Sequence, residues 1–575
     1  MPLGMISQAV FPLIFFIPGL LTSYVLFPRT NIIRRATYAI ILSLSILLIS
    51  GIILYSLKAF TFFNICLAVL IFSFLPLLAL KPGSKAGKTS FTNDFWYVLL
   101  FSLFGTIWKL WFWIRIKNIS DAAAYSFKFI GHNVPDLGFY TGLAADRIAY
   151  IGLPVGEALL RFFYLDNRFL NLFLITFLFL GLIYALFDEY RGKTAAFFGV
   201  ALMAFSPVEL FHMLNSIMGH SLAYISILTL FLFFKSKERG IFWLCFILAI
   251  VMSFSYYSGS VTMLIASAGF ILALFIKESL HPGGTPAEAL VRFFKNEKTQ
   301  AFLLIFLAII VFIYLFSNMW VFSLKNANTF SNFLDLRFSN AYSDPQFLGL
   351  SAIRWQMLFF FFCGATFIWH IARVPKFSDQ DKDLMYCLIP VFLISYGFIH
   401  VNLPARIFDY LSFAGLLFLQ VKKEYFKLFF ISAFTFMLLS GAYVLRDKRV
   451  FFSVSDKEIE GAGWIKRNLQ GKVFSDIFFV NQLVAKGYYN VEGANDKSAL
   501  VSNLFYGENL PSFLSSLDVL SNKFGVEYVA ISKRMRQVYL MMLYPPQAPL
   551  RNLPFFESNL RKVYDNGDVA VYKVR

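Results

Sequence analysis

A lone carboxylate just beyond a long apolar run is the first residue of this chain whose placement suggests chemistry. Asp121 stands in "KNISDAAAYSFKFIGHNVPD", residues 117–136, directly after a stretch rich in Phe, Leu and Trp. At the edge of an apolar segment a charge costs far less than at the centre of a bilayer, yet it keeps a partly low-dielectric setting. Such a carboxylate can take a proton from a hydroxyl or an amide; it can equally be the solvated end of a helix. Asp136, Asp146 and Glu157 follow in the same polar-leaning stretch and are further candidates.

Two other constellations stand at the ends of apolar runs. "FSPVELFHMLNSIMGH" carries Glu209, His212 and His220. Glu209 and His212 share a helical face by their spacing. A carboxylate with an imidazole can hold a divalent metal or relay a proton, or the two can simply bond to each other. "HVNLPARIFDYL" puts Arg406 at the start of an apolar helix, close to Asp409. A guanidinium there suits a phosphate or pyrophosphate through forked, charge-assisted hydrogen bonds; the other reading is an internal pair with Asp409. Phosphate loops of the Walker type, Gly-x-Gly-x-x-Gly turns and Gly-x-Ser-x-Gly elbows are all missing from the sequence, so nothing in it points to use of a nucleotide.

The elements that position these residues are set by composition. Of 575 residues, 58% are hydrophobic and only 15% charged, a balance that fits a polytopic α-helical membrane protein. A bilayer-spanning helix needs about 20 mostly apolar residues, and roughly fourteen such stretches precede residue 446. They begin near Phe11, Arg35, Phe60, Phe95, Phe169, Thr194, Met218, Ile241, Ser258, Ala301, Ala352, Leu384, Ile407 and Leu428. The net charge of +18 would point to nucleic acid in a water-soluble chain; here its distribution points to topology instead. Alternate loops are basic: "RTNIIRR", "KPGSKAGK", "RGK", "KSKERG", the segment with Lys277, Arg292, Lys295 and Lys298, the loop from Arg373 to Lys382, and "KKEYFK". The loops between them are nearly free of positive charge. The basic set is therefore expected inside the cell membrane, with the N-terminus, Asp121 and the C-terminal segment outside.

Three membrane helices and a Lys/Gly-rich linker make an opening unit, residues 1–94. A main transmembrane domain, 95–446, carries exterior loops at 116–167 and 323–350. Within the first of these, "GLPVGEALLRFFYL" has the three-and-four apolar spacing of a helix lying on the membrane surface. From 447 to 575 the composition turns soluble, and "VEYVAIS" and "DVAVYKV" alternate as strands, with a turn signal at "DNG" before the second. A small exterior α/β domain is expected there. Cys66, Cys245, Cys363 and Cys387 all lie in apolar runs and read as small membrane-core residues, outside any disulfide framework. "FPLIFFIPGLLTSYVLF" lacks a basic leader and a small-residue cleavage site, and reads as a retained helix.

These features together resemble the GT-C superfamily of integral-membrane glycosyltransferases. The resemblance rests on Asp121 opening the first large exterior loop, on "YIGLPVGEALLRFF" (150–163) closing it, on "RGKTAAFFGVALMAFSPVELFHM" (191–213), and on "PARIFDYLSFAGLLFL" (404–419). The C-terminal segment looks like the soluble domains of oligosaccharyltransferase-like relatives, and the opening helices look like a prokaryotic N-terminal extension. The resemblance implies an inverting enzyme that moves a sugar from a polyprenyl-phosphate or pyrophosphate donor to a glycan, lipid or protein acceptor at the exterior face. Asp121 would be the base, Arg406 would hold the donor phosphate, and Glu209, His212 and His220 would support the site or a divalent metal ion. The Trp-Trp-Asp signature of oligosaccharyltransferases is missing, as is a clear acidic metal pair, so protein N-glycosylation is not expected and metal dependence stays open. The competing readings are a lipid-linked saccharide transporter or flippase, a surface-polysaccharide ligase or polymerase, and a scaffold in envelope assembly.

Overall fold

The computed structural model describes residues 3–28, 30–79, 93–116, 152–165, 167–205, 221–255, 257–279, 285–316, 431–432, 434–435, 439, 454–493, 500, 503–505, 507, 509–537 and 552–574. The chain forms two compact units: the first takes in 1–111, 146–338 and 351–446 and is built of membrane-type helices, and the second takes in 112–145, 339–350 and 447–575.

Helices occupy the apolar stretches of the first unit. They are α1 (Leu3–Leu26), α2 (Ile32–Ser56), α3 (Phe62–Ala79), α4 (Asn93–Ile116), α5 (Gly152–Phe162), α6 (Arg168–Arg191), α7 (Lys193–Met203), α8 (Leu222–Lys235), α9 (Arg239–Ser255), α10 (Tyr257–Ser279), α11 (Pro286–Lys295) and α12 (Glu297–Phe316). Among the described residues, Ile32–Ser56, Phe169–Arg191 and Gly259–Ser279 are long and apolar enough to cross a membrane. Helical pieces at 431–432 and 434–435 belong to the stretch expected from Leu428; the spans expected from Ala352, Leu384 and Ile407 lie outside the described residues.

Apolar helices gain nothing from hiding apolar surface from lipid tails, so close approach through small residues has to hold them together. Gly19 of α1 lies against the backbone of α2: a Cβ there would run into the carbonyl oxygen of Ala39 and the Ser43 side chain. The Gly19 N–H donates to Ser43 Oγ at 2.9 Å, and Ser43 Oγ donates to the Phe16 carbonyl at 3.1 Å. Gly181 of α6 meets Thr37 of α2, and Gly240 of α9 meets the Leu26 carbonyl of α1. Thus α1, α2, α6 and α9 pack at glycines, where no side chain keeps the backbones apart.

The structure changes one expectation. The helix in "GLPVGEALLRFFYL" forms, as α5, but it does not lie open on a surface: residues 155–160 are all buried. Gly51 of α2 makes the room, since a Cβ at that position would meet Val155 Cγ1 at 2.7 Å and Leu159 Cδ1 at 3.2 Å. Rings seal the helix's far end, with Phe60 against Phe162 at 5.7 Å and Phe15 against Phe163 at 5.3 Å. Apolar spacing alone could not separate burial against protein from burial in lipid.

The second unit is an α/β sandwich of three layers. A five-stranded sheet runs in the order β2 (Val491–Gly493), β1 (Lys472–Ser475), β3 (Val526–Ser532), β5 (Val569–Lys573), β4 (Arg561–Asp565). The pairs β1–β2 and β1–β3 are parallel; β3–β5 and β5–β4 are antiparallel. Alternation along each strand sends side chains to two faces. Val473, Ala530, Val569 and Val571 pack with Ala462 and Ile465 of α13 (Asp456–Asn468) and with Val480, Leu483 and Val484 of α14 (Ile477–Ala485). Phe474, Val529, Ile531, Ala570 and Tyr572 pack with Phe513, Leu517 and Leu520 of α15 (Leu510–Phe524) and with Phe556 of α17 (Leu553–Asn559); the short α16 (Lys533–Gln537) follows β3 directly. Each large side chain taken from water this way contributes about 1.5–3 kcal/mol. Local chemistry starts and turns the elements: Ser455 and Glu458 form a capping box on α13, a device that satisfies orphan backbone donors. Gly567, at φ +89, makes the tight turn between β4 and β5. Burial alone would raise the Asp565 carboxyl in that turn, but the Gly567 N–H and Lys562 hold it below the usual carboxylate range.

Because the α1–α2 contact leaves no space for a side chain, Gly19→Val should force the helices apart at a cost of about 1–3 kcal/mol. A melt in detergent should show a clearly lowered transition for Gly19→Val and none for Gly463→Ala, where nothing lies within 4 Å of an added Cβ.

Candidate functional site

The two ends of the helical unit differ in chemistry, and the contacts between helices establish which residues share an end. Arg34, near the start of α2, pairs with Asp188 and Glu189 at the end of α6, each at 3.0 Å. Beside it, Thr30 lies 3.4 Å from the Glu238 carboxylate in the α8–α9 connection. Arg35 donates to the carbonyls of Phe27 and Pro28 at 3.0 and 3.1 Å and stacks its guanidinium over the Tyr24 ring at 4.4 Å. Lys298, at the start of α12, reaches the carbonyls of Phe233 and Phe234 at the end of α8. Burial raises the Glu238 carboxyl above its ordinary range, against the opposing pull of Arg34 and the hydrogen bond from Thr30. This end therefore gathers the basic loop residues read in the sequence, and its acids are engaged in tying helices together.

The opposite end is where α4 and α7 run out toward the sequence candidates. Helix α4 is fixed along its length. Tyr184 Oη of α6 donates to Asp94 Oδ2 at 2.8 Å, and Lys193 lies 3.1 Å from the same oxygen. One turn on, Tyr97 Oη donates to the Phe197 carbonyl of α7 at 3.1 Å. At Gly105 an added Cβ would meet the Ala204 carbonyl at 2.8 Å and Thr176 Cγ2 at 3.3 Å. These pairings run α4 parallel to α7 and antiparallel to α6, so α4 and α7 end on the same side. Trp108 and Phe205 mark that level with ring centroids 6.3 Å apart. Phe434, from the late apolar stretch, packs edge-on against Phe205 at 4.9 Å.

At this level the structure places a residue that the sequence reading passed over. Lys109 of α4 is 1% exposed. Its ammonium donates to Thr176 Oγ1 of α6 at 3.3 Å, and Thr176 is fully buried. An ionisable side chain inside a membrane-type helix pack is costly and is by default a candidate for function. The signal was present, since Lys109 is a cation in the middle of "FGTIWKLWFW"; attention to the ends of the apolar runs missed it.

Of the residues expected to form the site, Glu157 alone is described. It lies in α5 and is 6% exposed, on the helix that packs at the later half of α2 through Gly51. Asp121, Asp136, Asp146, Glu209, His212, His220 and Arg406 lie outside the described residues. The helices leading to them are described: α4 ends at Ile116 shortly before Asp121, and α7 ends at Met203 shortly before Glu209. Among the described residues no group of three or more His, Cys, Asp or Glu side chains is arranged to hold a metal ion.

The crevice that open α/β sheets use for ligands, at the carboxyl ends of strands where the order reverses, falls between β1 and β3 in the second unit. Its polar groups are bonded to one another. Ser532 Oγ donates to Asp476 Oδ2 at 2.6 Å, and Asp476 Oδ1 accepts from the Phe479 N–H at 3.1 Å. Ser475 Oγ donates to the Ala530 carbonyl at 2.7 Å. These bonds fasten the two strand ends.

No family model matches the chain, and no curated protein matches it. Among solved structures it is similar to the mycobacterial arabinofuranosyltransferase AftD, with 13% identity and a TM-score of 0.41 over 84% of this chain. It is also similar to the apo oligosaccharyltransferase of Archaeoglobus fulgidus, with 14% identity and a TM-score of 0.40 over 78% of this chain and 71% of that one. The chain spans 40% of the length of AftD.

The hydrogen bond from Lys109 yields a direct test. Thr176→Val keeps the shape but removes the acceptor, and should cost about 1–3 kcal/mol. In parallel melts Thr229→Val should stay near wild type, because the Thr229 hydroxyl only bonds back to the Ile225 carbonyl of its own helix. Equal behaviour of the two variants would show that the ammonium does not depend on Thr176.

Proposed function

We propose that the protein is an integral-membrane glycosyltransferase that moves a sugar from a polyprenyl-phosphate or pyrophosphate donor to an acceptor at the exterior face of the cell membrane. The observation that carries this reading is Lys109: a cation held inside the helix pack, on the helix that leads into Asp121 and level with the end of the helix that leads to Glu209 and His212. A positive charge there favours anionic groups nearby, and the low dielectric strengthens the effect. A donor phosphate and a carboxylate base are two such groups.

The chemistry asks little of the protein. Asp121 takes the proton from the acceptor hydroxyl as its oxygen attacks the anomeric carbon. The bond from that carbon to the phosphate oxygen breaks, and the electron pair leaves with the phosphate. Displacement in one step inverts the anomeric centre. Arg406 holds the departing phosphate by a forked pair of hydrogen bonds, while Lys109 acts through its charge as a positioning residue. Glu157, Glu209, His212 and His220 support the site. Lateral entry from the membrane suits a donor whose tail never leaves the lipid, and the basic loops at the opposite end set the exterior face by charge bias.

The test uses the purified full chain in lipid nanodiscs with a panel of radiolabelled polyprenyl-phosphate sugars. Asp121→Asn should lower transfer by about 100-fold or more while donor binding persists. Lys109→Met should chiefly raise the KM for the donor, about tenfold, with Lys109→Arg recovering most of it. Unchanged transfer in Asp121→Asn removes that residue from the chemistry, and donor binding with no transfer by the wild-type chain favours a carrier of lipid-linked saccharide.

A further inference from the structure

Helix α11 connects two long apolar helices and has three distinct faces. It begins with a capping box, Thr285 and Glu288, with Pro286 in the first turn. Around its axis, Ala289 and Phe293 are buried, and Phe293 meets Phe275 of α10 edge-on at 5.5 Å. Arg292 faces Glu278 of α10 at 3.7 Å and Glu288 at 3.9 Å, and Asn296 donates to Glu278 Oε1 at 3.2 Å. These contacts clamp α11 to the end of α10. The next arc carries Leu290, Val291 and Phe294, which are 47%, 51% and 53% exposed. The third arc carries Glu288, Arg292 and Lys295.

Leu304, Leu307 and Val311 on α12 and Leu272 and Phe275 on α10 are also exposed, and three-and-four spacing makes the α12 set one stripe. Those stripes belong to helices of membrane type, so the exposed arc of α11 continues a lipid-facing surface around a corner. The anchorage is short: Asn296 alone separates α11 from α12, which keeps α11 at the level where the apolar helices end. Apolar residues beside a basic flank, held at that depth, are the pattern of a helix lying in the membrane interface.

We propose that α11 is an interfacial lipid-binding helix: Leu290, Val291 and Phe294 enter the acyl boundary of the adjacent leaflet, and Lys295 extends to lipid phosphate at the rim. The occupant is the phospholipid monolayer that surrounds the protein. Lys295 puts positive charge at that rim, so anionic headgroups complement it. The helix thereby holds the α10–α12 pair at a fixed depth, independently of whichever reaction the opposite end carries out.

The test places one reporter at a time on the full chain after replacement of Cys66, Cys245, Cys363 and Cys387. Val291→Cys and Glu288→Cys are labelled with a polarity-sensitive bimane in nanodiscs containing a nitroxide lipid labelled high on its chain. An interfacial helix lies about 5–10 Å into the headgroup and acyl boundary. The reporter at 291 should lose at least about half its emission to that lipid and resist aqueous iodide, and the reporter at 288 should do the reverse. Strong iodide quenching at both positions would overturn the proposal, as would protection of position 291 from both quenchers, which would mean that protein covers the face. Both positions point away from Ala289 and Phe293; Glu288→Cys gives up the capping-box carboxylate and its contact with Arg292, while Thr285 and Pro286 still start the helix.

Discussion

A cation buried among apolar helices has to be held by the chain around it, and in this protein that requirement helps to fix α4. Lys109 is held through Thr176 of α6, and the close approach of Gly105 to Ala204 and Thr176 leaves no slack at the same level. A buried charge without partners would cost several kcal/mol, so sliding or rotating α4 is opposed by electrostatics as well as by contact. Together with Asp94, Tyr97 and Gly105, that side chain sets the depth and heading of α4, and with them the point from which the chain continues toward Asp121.

The opposite end shows the same physics used for another purpose. Arg34, Asp188, Glu189, Thr30 and Glu238 join α2, α6 and the α8–α9 connection. Acids there neutralise a surplus of basic loop residues and fasten helices whose faces, in lipid, have little hydrophobic reason to meet. Small residues at Gly19, Gly181 and Gly240 allow the approach that these charges and hydroxyls then hold. The unit thus has one end built for fastening and another where a buried cation stands level with the end of α7.

Much of this organisation could be read from residue pattern. Apolar runs located α1 to α4, α6 to α10 and α12 because length and hydropathy are properties of the segment itself. Alternation in "VEYVAIS" and "DVAVYKV" located β3 and β5, whose two faces both meet covering helices. β2, three residues long, and β4, charged along most of "RKVYD", gave no alternation to find: their pairing depends on neighbours in space. Burial of α5 was likewise hidden, since it depends on a glycine in α2. Asp121, Glu209 and Arg406 stand at boundaries of apolar runs, where a charge is cheap and easily noticed, whereas Lys109 lies within a run, where a charge is dear. Glu157 was named from its loop and lies instead within a buried helix.

The proposed function requires a lipid-linked phosphate to enter at the end of the helical unit marked by Lys109. Photocrosslinking of the full chain in nanodiscs with a polyprenyl-phosphate analogue carrying a diazirine beside the phosphate, followed by peptide mapping, tests it most directly. The account predicts adducts on the second half of α4, on α5 and on the end of α7, suppressed by unlabelled polyprenyl-phosphate sugar. Adducts confined to the fastened end, around Arg34, Asp188 and Glu238, would contradict it.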